Sequence, residues 1–235
     1  MGAPASHSYD DRRHVLESYF DRTASKTWER LTSDAPVSGI RATVRAGRNR
    51  MRDMLLSWLP ADMTGLRLLD AGCGTGALAI EAARRGAEVV AIDVAGSLVE
   101  VARERAQAHV AGGLKIDWRV GDMLDPALGR FDHVVAMDSL IHYDAFDIVD
   151  VLRSLAERTS GSMLFTFAPS TRPLVVMHAV GKLFPRAHRA PAIEPVRERL
   201  LRTLIHGALP AARLGRAERI ASGFYISHAL EVLPR

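Results

Sequence analysis

The chain holds a single cysteine, Cys73, which rules out an internal disulfide and most cysteine-based metal sites. It has no apolar run approaching the roughly 18 residues that a membrane helix needs, and its first 20 residues contain no apolar signal core. A reducing, cytoplasmic setting is the expectation. Aromatic residues are only 6% of the sequence, and they are not interleaved with basic residues as in RNA-binding sheets. Internal repeats and low-complexity tracts are also lacking. What remains, 235 residues with 48% apolar and 25% charged, is the balance of one globular domain with a sizeable core. The opening MGAPAS fits both the loose N-myristoylation pattern and a flexible leader.

The net charge is a modest +4, but it is unevenly spread. Between Arg172 and Arg213 eight Lys or Arg residues face two acids, so that segment alone carries +6. A second basic series, Arg41, Arg45, Arg48 and Arg52, recurs every three or four residues and lines one face of a helix. Any one of these positions reads as a solvated face. Two basic regions on one fold point to an acidic ligand.

Apolar residues at helical spacing predict a helix over 11–31, with a stripe of Val15, Leu16, Tyr19, Phe20 and Thr23. A second helix is expected over 41–59, where Met51, Met54, Leu55 and Trp58 oppose the arginines. From residue 66 the pattern changes to short apolar runs: RLLDA, EVVAID, KIDWRV, FDHVVAMD and GSMLFTFA. Helical patterns over 77–85, 96–110 and 145–158 separate them. Strand and helix in alternation predict an α/β fold with a mostly parallel, doubly wound sheet covered on both faces. After Ala168 the pattern loosens for more than forty residues, too long for a simple crossover. The organisation expected is one domain over 1–235: a helical cap at 11–59, a cofactor-binding core at 66–168, a lid at 169–212 and closing strands at 213–235.

LLDAGCGTG, Leu68 to Gly76, carries the strongest chemical signal. A strand ends in Asp70, glycines follow at 72, 74 and 76, and a helix begins at once. Glycines there let backbone pass close to a ligand in turn geometries closed to other residues. A dinucleotide fold prefers GxGxxG, with a pyrophosphate on the helix N-terminus. Here the spacing is GxGxG with an acid two residues ahead, which would repel a pyrophosphate and could hold an ammonium group.

The loop resembles the first motif of class I S-adenosylmethionine-dependent methyltransferases, a family with a Rossmann-like fold. That resemblance implies that Gly72, Cys73, Gly74 and Gly76 pass beneath the cofactor, with Asp70 near its amino group. It implies that Asp93 and Val94, closing VVAID, meet the ribose hydroxyls. Gly121, Asp122 and Met123, in VGDMLD, fall where the adenine is held, and Met137 ends the fourth strand beside the cofactor. Arg45 is the candidate for the cofactor's carboxylate, with Arg41 and Arg48 as substitutes.

YFDRTASKTWERL at 19–31, AGCGTG, GDMLDP, FDHVVAMDSLIHY and FTFAP at 165–169 together resemble the magnesium-protoporphyrin IX O-methyltransferases of bacteriochlorophyll synthesis. The resemblance implies methyl transfer from S-adenosylmethionine to a propionate of the magnesium porphyrin, the magnesium belonging to the substrate and no metal to the protein. A propionate ionises near ~4.3 in water, so no strong base is required and alignment dominates. His142, just past the fourth strand, is then expected to bond and orient the carboxylate rather than remove a proton; its plainer reading is a cap for the next helix. Tyr19 is expected over the active site, with packing as its plainer reading. The lid arginines, with Leu174, Val175, Met177, Leu183 and Phe184, are expected to receive the macrocycle. A functional link to magnesium chelatase and peripheral contact with the photosynthetic membrane belong to the same expectation. Two rivals stay open at this point: another small-molecule acceptor such as a quinone, and a non-catalytic module holding nucleic acid or an acidic partner.

Overall fold

The computed structural model describes residues 7–21, 39–109, 113–170 and 192–234. Helices α1 (His7–Tyr19) and α2 (Gly39–Trp58) precede an alternating series: β1 (Arg67–Ala71), α3 (Ala77–Arg84), β2 (Glu88–Asp93), α4 (Gly96–His109), β3 (Ile116–Val120) and β4 (Phe131–Ala136). Then follow α5 (Ala145–Ala156), β5 (Thr159–Phe167), α6 (Glu198–Ala208), β6 (Arg213–Ser222) and β7 (Tyr225–Leu233). Short 3₁₀ turns lie at Pro126–Leu128 and Leu140–His142.

One seven-stranded sheet has the order β3-β2-β1-β4-β5-β7-β6. The first five strands pair in parallel, while β7 runs antiparallel to both β5 and β6. Because strand side chains alternate, neighbouring residues feed opposite faces. Leu69, Val90, Ile92, Val134, Phe165, Phe167 and Leu230 join α1, α5 and α6 in one apolar cluster. Leu68, Val89, Ala91, Val135, Leu164 and Ala229 join α2, α3 and α4 in the other. Each Val, Leu, Ile or Phe side chain removed from water contributes about 1.5–3 kcal/mol, which favours continuous apolar runs in strands covered on both faces.

The helices follow their spacing. Asp144 caps α5 by accepting from the amides of Phe146 at 2.8 Å and Asp147 at 3.0 Å. In α6, Leu201 and Ile205 stand one turn apart and are buried, while Glu198 and Arg202 pair at 2.8 Å outside. Element ends differ from the sequence expectation by small amounts, and α1 begins four residues before residue 11, the expected start. That shift matters, because it brings Tyr9 into the helix as a buried residue. Strand β4 stops at Ala136 rather than at Asp138, because Asp138 turns into the left-handed region with φ 56°. The 22–31 part of the expected first helix, and the lid residues Leu174, Val175, Met177, Leu183 and Phe184, lie outside the described residues.

Winding reverses between β1 and β4, whose connections leave toward opposite edges of the sheet. Ligand clefts open at the carboxyl ends of strands at such a switch point. The ends of β1, β2 and β4 carry Asp70, Asp93 and Met137, and helices α1 and α2 close over them.

Candidate active site

A cleft of about 1140 Å³, counting its solvent-open part, lies over these strand ends. Its floor is the glycine loop. Gly72, Gly74 and Gly76 have φ of 83°, 52° and 78°, values that side chains resist. Packing also demands two of them: a Cβ on Gly72 would overlap Ser139, and one on Gly76 would stand 2.5 Å from the Trp118 ring. Cys73 lines the cleft beside them, and burial pushes its thiol up, which leaves it unreactive.

Asp93 organises this loop from the end of β2. Its carboxylate accepts from the Gly74 amide at 2.8 Å and the Ala95 amide at 3.0 Å. Burial nevertheless pushes the Asp93 carboxyl up against those bonds. Each oxygen keeps a lone pair, so the group can still accept from a ligand hydroxyl. Asp70 is different. It is 2% exposed, and its Oδ2 has no hydrogen-bond partner. Burial, with Asp93 nearby, pushes its carboxyl up to about 7, partly offset by a backbone bond from Ala79. A buried carboxylate oxygen without a donor is costly, and a ligand ammonium would satisfy it. The cradle and the orphaned acid together fit an amino-acid-bearing cofactor.

The segment after β4 forms the opposite wall. Ser139 donates to the Ala71 carbonyl at 2.8 Å, fastening it to β1. Asp138 lines the cleft in its left-handed conformation, uncommon outside glycine and costing of order 1–3 kcal/mol. Its amide donates to Thr166 Oγ1 at 2.8 Å, and its carboxylate receives the Tyr225 hydroxyl at 2.9 and 3.2 Å. Arg48 reaches the same carboxylate at 3.4 Å.

His142 is buried, lines the cleft and sits edge-on to Phe20 with centroids 6.1 Å apart. Its Nδ1 is 3.2 Å from the carbonyl of Ala192, which can only accept, so Nδ1 carries a proton. Burial lowers its pKa, against the Ala192 bond and Asp138, and the resting ring is neutral with a lone pair on Nε2. In this tautomer Nε2 accepts, and bonding a carboxylate through it takes a second proton on the ring. The capping alternative is removed, since Asp144 caps α5.

Helix α1 covers the cleft through polar ties. Tyr9 donates to Asp122 Oδ1 at 2.7 Å and stacks on Tyr143 at 5.1 Å, while Ser8 donates to Asp147 at 2.7 Å. Arg12 pairs with Glu194 at 2.9 Å, and Asp21 accepts from the Ser97 amide at 2.8 Å. Asp122 also accepts from the Leu124 amide at 2.9 Å. Its carboxylate therefore ties α1 to its own turn, and its neighbours Gly121 and Met123 line the cleft with Val94 and Met137. Arg158 fixes that turn by donating to the carbonyls of Met123 at 2.5 Å and Asp125 at 2.6 Å.

Of the arginine face, Arg45, Arg48 and Arg52 line the cleft and Arg41 is exposed outside it. Tyr19 is half-buried, edge-on to Phe20 at 5.2 Å, and Phe20 rather than Tyr19 reaches the lining. Sequence reasoning missed Tyr9, although Tyr9, Leu16 and Phe20 continue one helical stripe toward the N-terminus. It also missed Tyr225, for which the sequence offers no signal short of knowing the strand order.

Comparison with known proteins agrees with this geometry. A family described as magnesium-protoporphyrin IX methyltransferase C-terminus matches residues 136–234, and a general methyltransferase domain matches residues 68–160. The chain is 49% identical to a magnesium-protoporphyrin O-methyltransferase of Rhodobacter capsulatus, over 96% of this chain and 98% of that one. Crystal structures of magnesium protoporphyrin IX methyltransferase from Synechocystis PCC 6803 superpose with TM-score 0.83 with SAH bound (28% identity, 94% of this chain, 99% of that one) and 0.81 with SAM bound (25%, 99% and 100%). By contrast, a ubiquinone biosynthesis O-methyltransferase of Methylocella silvestris is 37% identical over only 52% of this chain and 51% of its own.

Proposed function

The chain belongs to the magnesium-protoporphyrin IX methyltransferase family, and on that premise we propose a role for each group around the cleft. It is an S-adenosylmethionine-dependent O-methyltransferase that esterifies a propionate of magnesium protoporphyrin IX. The observation that carries the cofactor half is the unpartnered Oδ2 of Asp70 at the cleft floor. The acceptor half rests on the family match over 136–234, which spans His142 and the closing strands instead of the glycine loop.

When bound, S-adenosylmethionine supplies a methyl group on a positively charged sulfur. Asp70 takes the ammonium group and Asp93 accepts from the ribose hydroxyls with its remaining lone pairs. Val94, Gly121 and Met123 enclose the adenine, and Cys73 and Met137 flank the centre. Asp122 acts one step removed, by holding α1 over the cleft through Tyr9. Arg45, which lines the cleft from α2, takes the cofactor carboxylate.

A propionate that leaves water for the cleft is harder to ionise. The neutral His142 Nε2 then accepts the acid proton and keeps the carboxylate paired at its reacting end. Once the ester forms, the imidazolium loses its anionic partner and burial returns the proton to water. The larger share of the rate comes from alignment, worth several orders of magnitude in a well-held pair. Tyr19, at the end of α1 beside Phe20, orders the acceptor at the rim.

Substrate supply implies a functional link to magnesium chelatase, since the magnesium has to be inserted before the ester is made. A flat apolar macrocycle also favours work from the cytoplasm with peripheral contact at the photosynthetic membrane. Among the described residues no helix is long and apolar enough to cross one. With methyl-labelled S-adenosylmethionine, label should enter a base-labile ester of magnesium protoporphyrin. Label entering a phenolic quinone precursor instead would replace this acceptor.

A further inference from the structure

Asp138 is the non-glycine residue at positive φ among the described residues, and it stands where β4 hands the chain to the turn bearing His142. Three elements converge on it. Thr166 from β5 accepts from its amide at 2.8 Å, Tyr225 from β7 donates to its carboxylate at 2.9 Å, Ser227 of the same strand stands at 3.5 Å, and Arg48 of α2 at 3.4 Å. Burial pushes the Tyr225 hydroxyl far up, so it remains a donor. The fit is close: a Cβ on Gly47 of α2 would stand 2.5 Å from the Tyr225 ring. One residue further, Ser139 is tied to β1. The wall of the cleft is therefore pinned on one side to the cofactor-binding strand and on the other to the edge hairpin.

Building on the methyl-transfer reading above, we propose that Asp138 and Tyr225 are positioning residues. Tyr225 holds Asp138 in its left-handed turn, and that turn sets where Met137 and His142 stand against the cofactor. The antiparallel hairpin β6–β7 is on this account part of the catalytic geometry and not merely the end of the sheet. Neither residue touches the reacting atoms; both act through the 137–142 segment.

Tyr225→Phe removes the hydroxyl and keeps the ring that fills the space over Gly47. Asp138→Gly accepts φ 56° without resistance and deletes the anchorage. In the full chain, both variants should fold, bind S-adenosylhomocysteine within about twofold of wild type, and lose roughly tenfold or more in kcat, since small misplacement is costly. The His142 titration followed by NMR should shift in both, a readout that needs no porphyrin. Wild-type kcat together with an unmoved His142 titration in the two folded variants overturns the proposal. Absence of methyl transfer by the wild-type protein, with the His142 titration still shifted by the variants, overturns the acceptor reading and leaves the positioning role standing.

Discussion

Replacing Asp70 by Asn separates stability from function at the cleft floor. Asp70 is almost fully buried, lies near Asp93 and leaves one oxygen without a donor, so its carboxyl titrates at about 7 where 3.8 is usual. That difference corresponds to about 4 kcal/mol between the ionised and protonated forms. The native state holds the proton more tightly than the unfolded chain, so the group's contribution is fully present below pH 3.8. It is lost as pH rises toward about 7, and above that the cofactor-free protein carries the whole penalty. The Asn variant is neutral at every pH but leaves an amide to be satisfied, a cost of about 1–3 kcal/mol. Cofactor-free D70N should therefore be about 1–3 kcal/mol more stable than wild type at pH 8 in urea unfolding, and the gap should close or reverse by pH 5. Calorimetry with S-adenosylmethionine should show affinity reduced roughly 10–100-fold through the lost charge-assisted bond. Wild-type affinity should itself decline as pH falls below about 7. A variant that is less stable at pH 8 with an unchanged pH dependence, or one that binds the cofactor normally, refutes the reasoning.

Further outcomes follow from the same geometry. His142→Ala should reduce kcat by roughly 100-fold or more with little change in cofactor affinity. Because burial lowers the His142 pKa from 6.5, wild-type kcat should hold through neutral pH and decline only below that value; loss on the alkaline side would mean that the imidazolium is the working form. Tyr19→Phe should lower turnover severalfold in steady-state assays while leaving thermal unfolding close to wild type, and unchanged turnover removes Tyr19 from the site. Gly47→Ala should destabilise by about 1–3 kcal/mol through overlap with Tyr225, despite the better helix propensity of alanine. A Tm at or above wild type would show that α2 has room to shift.

The central strands of the sheet were legible because two-face burial writes itself as unbroken apolar runs: VVAI in β2 and MLF in β5 admit few other readings. Asp70, Asp93 and the glycines were legible because their work is local, a strand end followed at once by a turn. Asp122 shows the limit of that logic. Its spacing fits a ligand contact, and a tyrosine 113 residues away also donates to its Oδ1. Nothing local to DMLDP encodes that. His142 was located by its place after β4, but its tautomer is set by the carbonyl of Ala192, 50 residues on, which no local pattern reveals. Tyr225 reaches the site only because β7 inserts beside β5, a nonlocal choice made by the whole sheet.

The central claim is tested most directly by the mass of the porphyrin after incubation with methyl-deuterated S-adenosylmethionine. Magnesium protoporphyrin IX should gain one deuterated methyl per molecule, as an ester that base removes. An unmodified porphyrin under saturating cofactor, from protein that binds both ligands, would contradict the account.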